Sequence, residues 1–257
     1  MRRRTLWTAA CLAMLAGFGL TAPAAGEQTG ATTPGPTVVE LFTSQSCYSC
    51  PPAEAFLASL ADRPDVLALE FHVDYWNSLV YGSHGRWKDP FSSPEATARQ
   101  RGYNVAVRGR GDVYTPQTVV DGRTEAVGSA AGEILRLIDR SAAEVRPRVA
   151  VAVSRDATGG LTVGLAGDAA QPASVWLVTY IDRAVTRVSA GENHDKTLTS
   201  RNIVVGWRKV GDWRGTATTL SLGDAGNEKG QGCAVLVQPE GERPVLGAAI
   251  CPPAPAS

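Results

Sequence analysis

Residues 37–60 read TVVELFTSQSCYSCPPAEAFLASL. The run Thr37-Val38-Val39-Glu40-Leu41-Phe42 is β-branched and apolar, which suits a strand. Polar residues and Cys47-Tyr48-Ser49-Cys50-Pro51-Pro52 follow it. Proline is tolerated only in the first turn of a helix, so a helix should begin between Cys47 and Pro52. Ser46 is its candidate N-cap, and Phe56, Leu57 and Leu60 form its buried side. Val66 to Val73 is a second apolar run of strand length. Strand, helix, strand within some 35 residues is a βαβ unit with parallel strands.

A C-x-x-C pair at the mouth of a helix carries chemistry. Unpaired backbone N–H groups and the positive end of the helix dipole favour the thiolate of the first cysteine. The second cysteine can attack a mixed disulfide, so the pair is a two-electron switch. Cys47 is the expected attacking residue and Cys50 the resolving one. In a parallel βαβ unit both strands end at one sheet edge, so His72, Asp74, Tyr75 and Trp76 are expected on the Cys47 side. His72 could pair with the thiolate, shuttle a proton or join a soft metal site; otherwise Asp74 or a backbone carbonyl satisfies it.

Beyond this unit, residues 74–112 form a connection rich in aromatics and arginine. Ser93-Pro94-Glu95 reads as N-cap, first-turn proline and acidic first turn, giving a helix through about Tyr103. Thr115-Pro116 leads into Gln117–Val120, an Asp121-Gly122 turn and Thr124–Val127, which read as a hairpin. Ser129 can cap a last helix with Ile134, Leu137, Ile138 and Val145 at helical spacing, ending before Pro147. Trp76, Tyr81, Trp87, Phe91 and Tyr103 either line a groove for extended polypeptide or form the insertion's own small core. Arg86, Lys88, Arg99, Arg101, Arg108 and Arg110 make the region basic, by default as a solvated face.

The C-x-x-C βαβ unit, a proline opening a later strand, a hairpin and a closing helix together resemble the thioredoxin superfamily over Thr37–Arg146. The resemblance implies that Thr115–Pro116 is cis and lies against the redox pair. It also implies a buried acid six residues before the first cysteine; Leu41 stands there, with Glu40 next upstream as the supporting acid. Residues 39–53, Phe71-His72-Val73-Asp74-Tyr75-Trp76, Trp87-Lys88-Asp89-Pro90-Phe91 and Val113–Gln117 further resemble a family of exported bacterial proteins of unknown activity. Its members join a thioredoxin-like domain to a β-rich second half.

After Pro147, seven short strand candidates at 148–153, 161–165, 175–181, 203–205, 217–222, 234–237 and 245–250 are separated by Gly, Asp, Asn and Pro clusters, a pattern of β-sandwiches. The expected fold is therefore an α/β thioredoxin-like domain over 37–147 followed by an all-β sandwich-like domain over 148–257. Gly191-Glu192-Asn193-His194-Asp195 reads as a polar turn or a ligand-binding stretch. His84 and His194 have no metal-ligand spacing.

Ahead of the first strand, residues 1–25 have Arg2–Arg4, an apolar run from Leu6 to Leu20 and the small exit Ala22-Pro23-Ala24-Ala25, the plan of a signal peptide. Residues 26–36 form a flexible leader. Export implies a periplasmic or secreted protein with no membrane segment in its mature form. Cleavage removes Cys11 and leaves Cys47, Cys50, Cys233 and Cys251, for which 47–50 and 233–251 is the economical pairing, the second structural. The 25 Lys+Arg and 25 Asp+Glu of the whole chain become 22 and 25, because the removed segment holds three arginines and no acid. That balance gives no reason to expect nucleic acid.

Three functions compete. The leading one is a thiol–disulfide oxidoreductase or redox partner acting on protein thiols and disulfides through Cys47 and Cys50, with no cofactor and no resident metal. The second is a module holding Cu(I) through Cys47, Cys50 and His72. The third is a structural or adhesion protein in which 47–50 is inert.

Overall fold

The computed structural model describes residues 35–80, 83–167, 171–224 and 228–254. The expected signal peptide, most of the expected leader and Tyr81 lie outside them. The described residues belong to one compact unit. They hold three α-helices and eleven strands.

The chain begins as the sequence suggests. Strands β1 (Thr37–Thr43) and β2 (Val66–His72) are parallel, in a register that sets Thr43 beside His72, and helix α1 (Pro51–Leu60) connects them. Cys50, not Ser46, is the residue before the first helical turn, and Ser46 Oγ instead donates to the Trp87 carbonyl. Leu57 and Leu60 are buried, as are Ala53 and Glu54, while Phe56 is only partly covered. Helix α2 (Pro94–Tyr103) has Ser93 as its cap, accepting from the Ala96 N–H at 3.1 Å. Strands β3 (Gln117–Val120) and β4 (Thr124–Val127) form the hairpin, and helix α3 (Ala131–Ala143) closes this half. The α3 cap is Ala130 rather than Ser129, and Val145 is past the helix end and exposed.

The expected fold class, an α/β thioredoxin-like domain followed by an all-β sandwich, is corrected: strands predominate over the three α-helices, and the larger sheet is mixed and eight-stranded. Each of the seven later strand candidates is part of a strand: β5 (Val149–Arg155), β6 (Gly160–Gly167), β7 (Ala173–Arg187), β8 (Thr197–Trp213), β9 (Thr218–Asp224), β10 (Gln231–Gln238) and β11 (Gly247–Ile250). They do not close into a separate sandwich. One mixed eight-stranded sheet runs β11-β10-β7-β8-β2-β1-β3-β4, and only β5-β6-β9 form a second sheet. The join is a parallel pairing of Glu70 on β2 with Ile203 on β8. Alternation along a strand reports which face is buried but not which strand lies alongside.

Three packed layers follow from that alternation. Val39 and Leu41 of β1, with Val66 and Ala68 of β2, face α1 and α3. Val38, Phe42, Leu67, Leu69 and Phe71 face the opposite way, with Ala96 and Tyr103 of α2. Val175, Leu177, Val235 and Val237 carry the sheet's far end against Leu161, Val163 and Leu165 of the smaller sheet.

Candidate functional site

Cys47 and Cys50 are disulfide-bonded at the N-terminus of α1. The Cys50 carbonyl accepts the Ala53 and Glu54 N–H groups at 2.9 and 3.1 Å, so the helix starts on the motif itself. Both cysteines are 0% exposed, whereas Tyr48 between them is 66% exposed. Ser49 Oγ lies 3.4 Å from Cys47 Sγ.

Strand alternation supplies the polar groups on the α1 face of the sheet. Residues of β1 and β2 on the α1 side continue past Leu41 and Ala68 to Thr43, Glu70 and His72. Thr43 Oγ1 donates to Glu54 Oε1 at 2.7 Å. His72 is fully enclosed between two carboxylates, with Nε2 2.8 Å from Glu70 Oε1 and Nδ1 2.7 Å from Asp89 Oδ2. Asp89 also accepts the Gln45 N–H at 2.8 Å and the Phe91 N–H at 3.0 Å, which fixes the insertion against the motif. Phe91 packs edge-on to the imidazole.

The same alternation takes Glu40 away. It faces α2, where Arg99 Nε donates to Glu40 Oε1 at 2.7 Å and Tyr103 OH donates to Oε2 at 2.5 Å. Gln238 of β10 joins this group through Arg99 and Tyr103. Glu40 is thus part of an interior tie between the halves of the chain, and the buried acids on the α1 side are Glu54, Glu70 and Asp89. Asp74 also stands apart, bonded to Thr97. Trp76 Nε1 donates to Thr115 Oγ1 at 2.8 Å, and the Thr115–Pro116 bond is cis. Pro116 and Ala53 of the first turn of α1 both flank Gly128: a Cβ built there would lie 2.9 Å from Pro116 Cβ and 3.1 Å from Ala53 Cβ.

Of the aromatic residues, Tyr103 is a core residue, Trp87 Nε1 donates to Gln45 Oε1 at 3.2 Å, and Trp76 and Phe91 pack as described. The basic set divides similarly. Arg99 is interior, Arg108 and Arg110 pair with Asp112, and Arg108 also lies over the Tyr114 ring.

The motif has a cover that sequence reasoning did not assign. The β7–β8 hairpin ends in a tip, Val188–Lys196, over the cysteines. Buried Asn193 Nδ2 donates to the carbonyls of both Gln45 and Cys47 at 2.9 Å. Glu192 Oε2 accepts the Tyr48 N–H at 2.8 Å. Lys196 Nζ donates to Asn193 Oδ1 at 2.8 Å and sits 4.3 Å from the Tyr48 ring centroid. Gly191, at φ +74°, fits under Trp87, where a Cβ would come within 3.1 Å. In sequence Gly191–Asp195 reads as a polar turn or a ligand-binding stretch, but its bonding partners stand some 145 residues earlier in the chain.

A family model for proteins described as of unknown function, DUF1223, matches residues 38–238. The chain belongs to the DUF1223 family. Among solved structures, the crystal structure of protein AGR_C_4864 from Agrobacterium tumefaciens is similar, with 30% identity, 87% of this chain and 96% of that chain covered, and a TM-score of 0.70. No curated protein matches. The DUF1223 span includes the C-x-x-C pair, the Glu70–His72–Asp89 group and the hairpin tip, and ends before Cys251.

The electrostatics of this DUF1223 site follow from its dryness. Burial, then the charge of Glu70, pushes the Glu54 carboxyl up to about 7, against the pull of His72 and the Thr43 hydrogen bond. Burial alone would lower His72, but the charge of Asp89 and hydrogen bonds to Asp89 and Glu70 raise it well above the usual imidazole value. Burial would raise Asp89, yet His72 and two backbone N–H groups hold it below the usual carboxylate range. His72 is accordingly an imidazolium clamped by carboxylates on both ring nitrogens, which leaves neither nitrogen for a copper ion. Cys233 and Cys251 are also disulfide-bonded, joining β10 to the end of β11 in the core beside the smaller sheet.

Proposed function

We propose that this protein is an exported thiol–disulfide exchange protein acting on protein thiols through Cys47 and Cys50. The observation that carries the reading is the buried set of Glu54, Glu70, His72 and Asp89, with Glu54 in the first turn of the helix that the disulfide begins and Asp89 bonded to the Gln45 N–H just before the motif. Three carboxyls share a dry space with one imidazolium, and burial raises Glu54 so that it gains and loses its proton near neutral pH. An inert disulfide has no use for such a costly arrangement, and strongly perturbed groups gather where protons move.

In the exchange, a substrate thiolate attacks Cys47 Sγ. The new S–S bond forms as the Cys47–Cys50 bond breaks, and its electron pair leaves on Cys50 Sγ, to which Glu54 supplies a proton. A second substrate thiolate then displaces Cys47, so the substrate dithiol is oxidised and the cysteine pair reduced; the reverse sequence reduces a substrate disulfide. A Cys50→Ser variant with Cys47 free should accumulate mixed disulfides with exported proteins, resolved by dithiothreitol. No adducts, together with failure of the wild type to exchange with a model disulfide, would count against the reading.

Full burial of both cysteines favours a second reading, in which 47–50 is a structural disulfide. Under that reading the pair stays oxidised in any glutathione buffer that leaves the protein folded.

A further inference from the structure

We infer that the hairpin tip Val188–Lys196 is a latch over the Cys47–Cys50 disulfide, and that the substrate replacing it is an extended polypeptide segment. The inference rests on the exchange reading above and adds the class of substrate and the control of access.

Attack on a disulfide needs a nucleophile in line with the S–S bond. With Cys47 and Cys50 at 0% exposure, no incoming thiolate reaches that line in this arrangement, and the tip is bonded to the main chain of Cys47 and Tyr48. The tip is held in part by polar contacts from two side chains to the motif, and by His194 stacked on His84 at 4.3 Å. Asn193 serves the carbonyls of Gln45 and Cys47, and Glu192 serves the N–H of Tyr48. A further backbone bond, Gly191 N–H to the His84 carbonyl at 3.0 Å, ties the tip to the insertion.

The groups covered in this way are two main-chain acceptors and one main-chain donor within four residues. An extended peptide presents N–H and C=O groups in alternation, so it can satisfy the set the latch releases. The side chains of Asn193 and Glu192 occupy the hydrogen-bonding positions of such a peptide. A second observation points the same way. Gln45 Nε2 is buried beside the motif with no acceptor among the described residues, and Gln45 Oε1 is already taken by Trp87. A dry donor without a partner is costly, and a substrate carbonyl is the kind of group that completes it.

The test uses the oxidised, full mature chain at pH 7. Its reduction by tris(2-carboxyethyl)phosphine is followed by alkylation and mass spectrometry, which resolves the two disulfides. Asn193→Ala removes both of its hydrogen bonds to the motif and should speed reduction of 47–50 about tenfold or more, with the 233–251 rate unchanged. Glu192→Gln, on the partly exposed part of the tip, should speed it about threefold and guards against a folding defect in the first variant. Equal rates in wild type and a folded variant overturn the latch.

The peptide claim has its own arm. A blocked hexapeptide with one cysteine among β-branched residues should react with the wild type at least fivefold faster than N-acetylcysteine amide at equal thiolate concentration. A ratio near one overturns it. Faster reduction in Asn193→Ala without any mixed disulfide from Cys50→Ser would leave the latch standing and remove the exchange function, so the two failures are separable.

Discussion

Thr43 Oγ1 donates to Glu54 Oε1 at 2.7 Å, tying the end of β1 to the first turn of the helix that Cys50 begins. Thr43 is also the register partner of His72. Strand pairing and helix entry therefore set a protonatable carboxyl and an imidazolium together beneath the first turn of the helix that the disulfide begins.

Glu54 makes stability depend on pH with a definite sign. Its folded pKa, about 7, lies above its unfolded value of 4.5, so the folded state binds the extra proton between the two. The contribution is complete below pH 4.5 and is lost as pH rises through about 7, on the order of 3 kcal/mol at most. His72, raised well above 6.5, adds a loss of the same sign at higher pH. Asp89, held below 3.8, loses its contribution only as strong acid protonates it. Urea denaturation of wild type and Glu54→Gln between pH 5 and 8 checks this: the wild type should weaken as pH rises, and the variant should weaken much less.

His72→Ala should be severely destabilising. It strands Glu70 and Asp89 in the interior without their shared cation, a change that typically costs about 3–5 kcal/mol. Denaturant midpoints measure the loss, and Glu70→Gln combined with His72→Ala should recover part of it.

Arg99→Met should cost a similar amount, about 3–5 kcal/mol, because Glu40 would be left buried and uncompensated. Adding Glu40→Met should restore most of the stability. Thiol reactivity at Cys47 should be the same in the double variant as in the wild type, since this group lies on the other face of β1.

Replacing Cys233 and Cys251 together by serine opens a loop closed over a separation of 18 residues. The expected loss is about 3 kcal/mol in thermal or chemical unfolding, with exchange at Cys47–Cys50 unaffected. A variant that loses exchange while staying folded would contradict the separate roles assigned to the two disulfides.

What sequence made legible was local. The βαβ entry, the Ser93-Pro94 cap and the Asp121-Gly122 turn each depend on residues within a few positions of one another. The single sheet was not legible, because its join is one bridge between Glu70 and Ile203. The length of β7 was hidden too: Arg183, Val185 and Arg187 are exposed, so the burial pattern fades before the strand ends. In the site, Glu54 reads in sequence as an ordinary first-turn acid complementing the helix dipole. Its role needs Glu70 and His72 in space. Glu40 is adjacent in sequence to the expected acid position, yet a strand sends neighbours to opposite faces. Asn193 carried no signal of its target.

The central claim, that Cys47–Cys50 is a working redox couple, meets its most direct test in the midpoint potential of that pair. The wild type is equilibrated in glutathione buffers of graded potential at pH 7, then alkylated and analysed by mass spectrometry. A midpoint between about −120 and −270 mV, with Cys233–Cys251 oxidised throughout, is the predicted result. A Cys47–Cys50 midpoint below about −300 mV, in the range of structural disulfides, would contradict the claim.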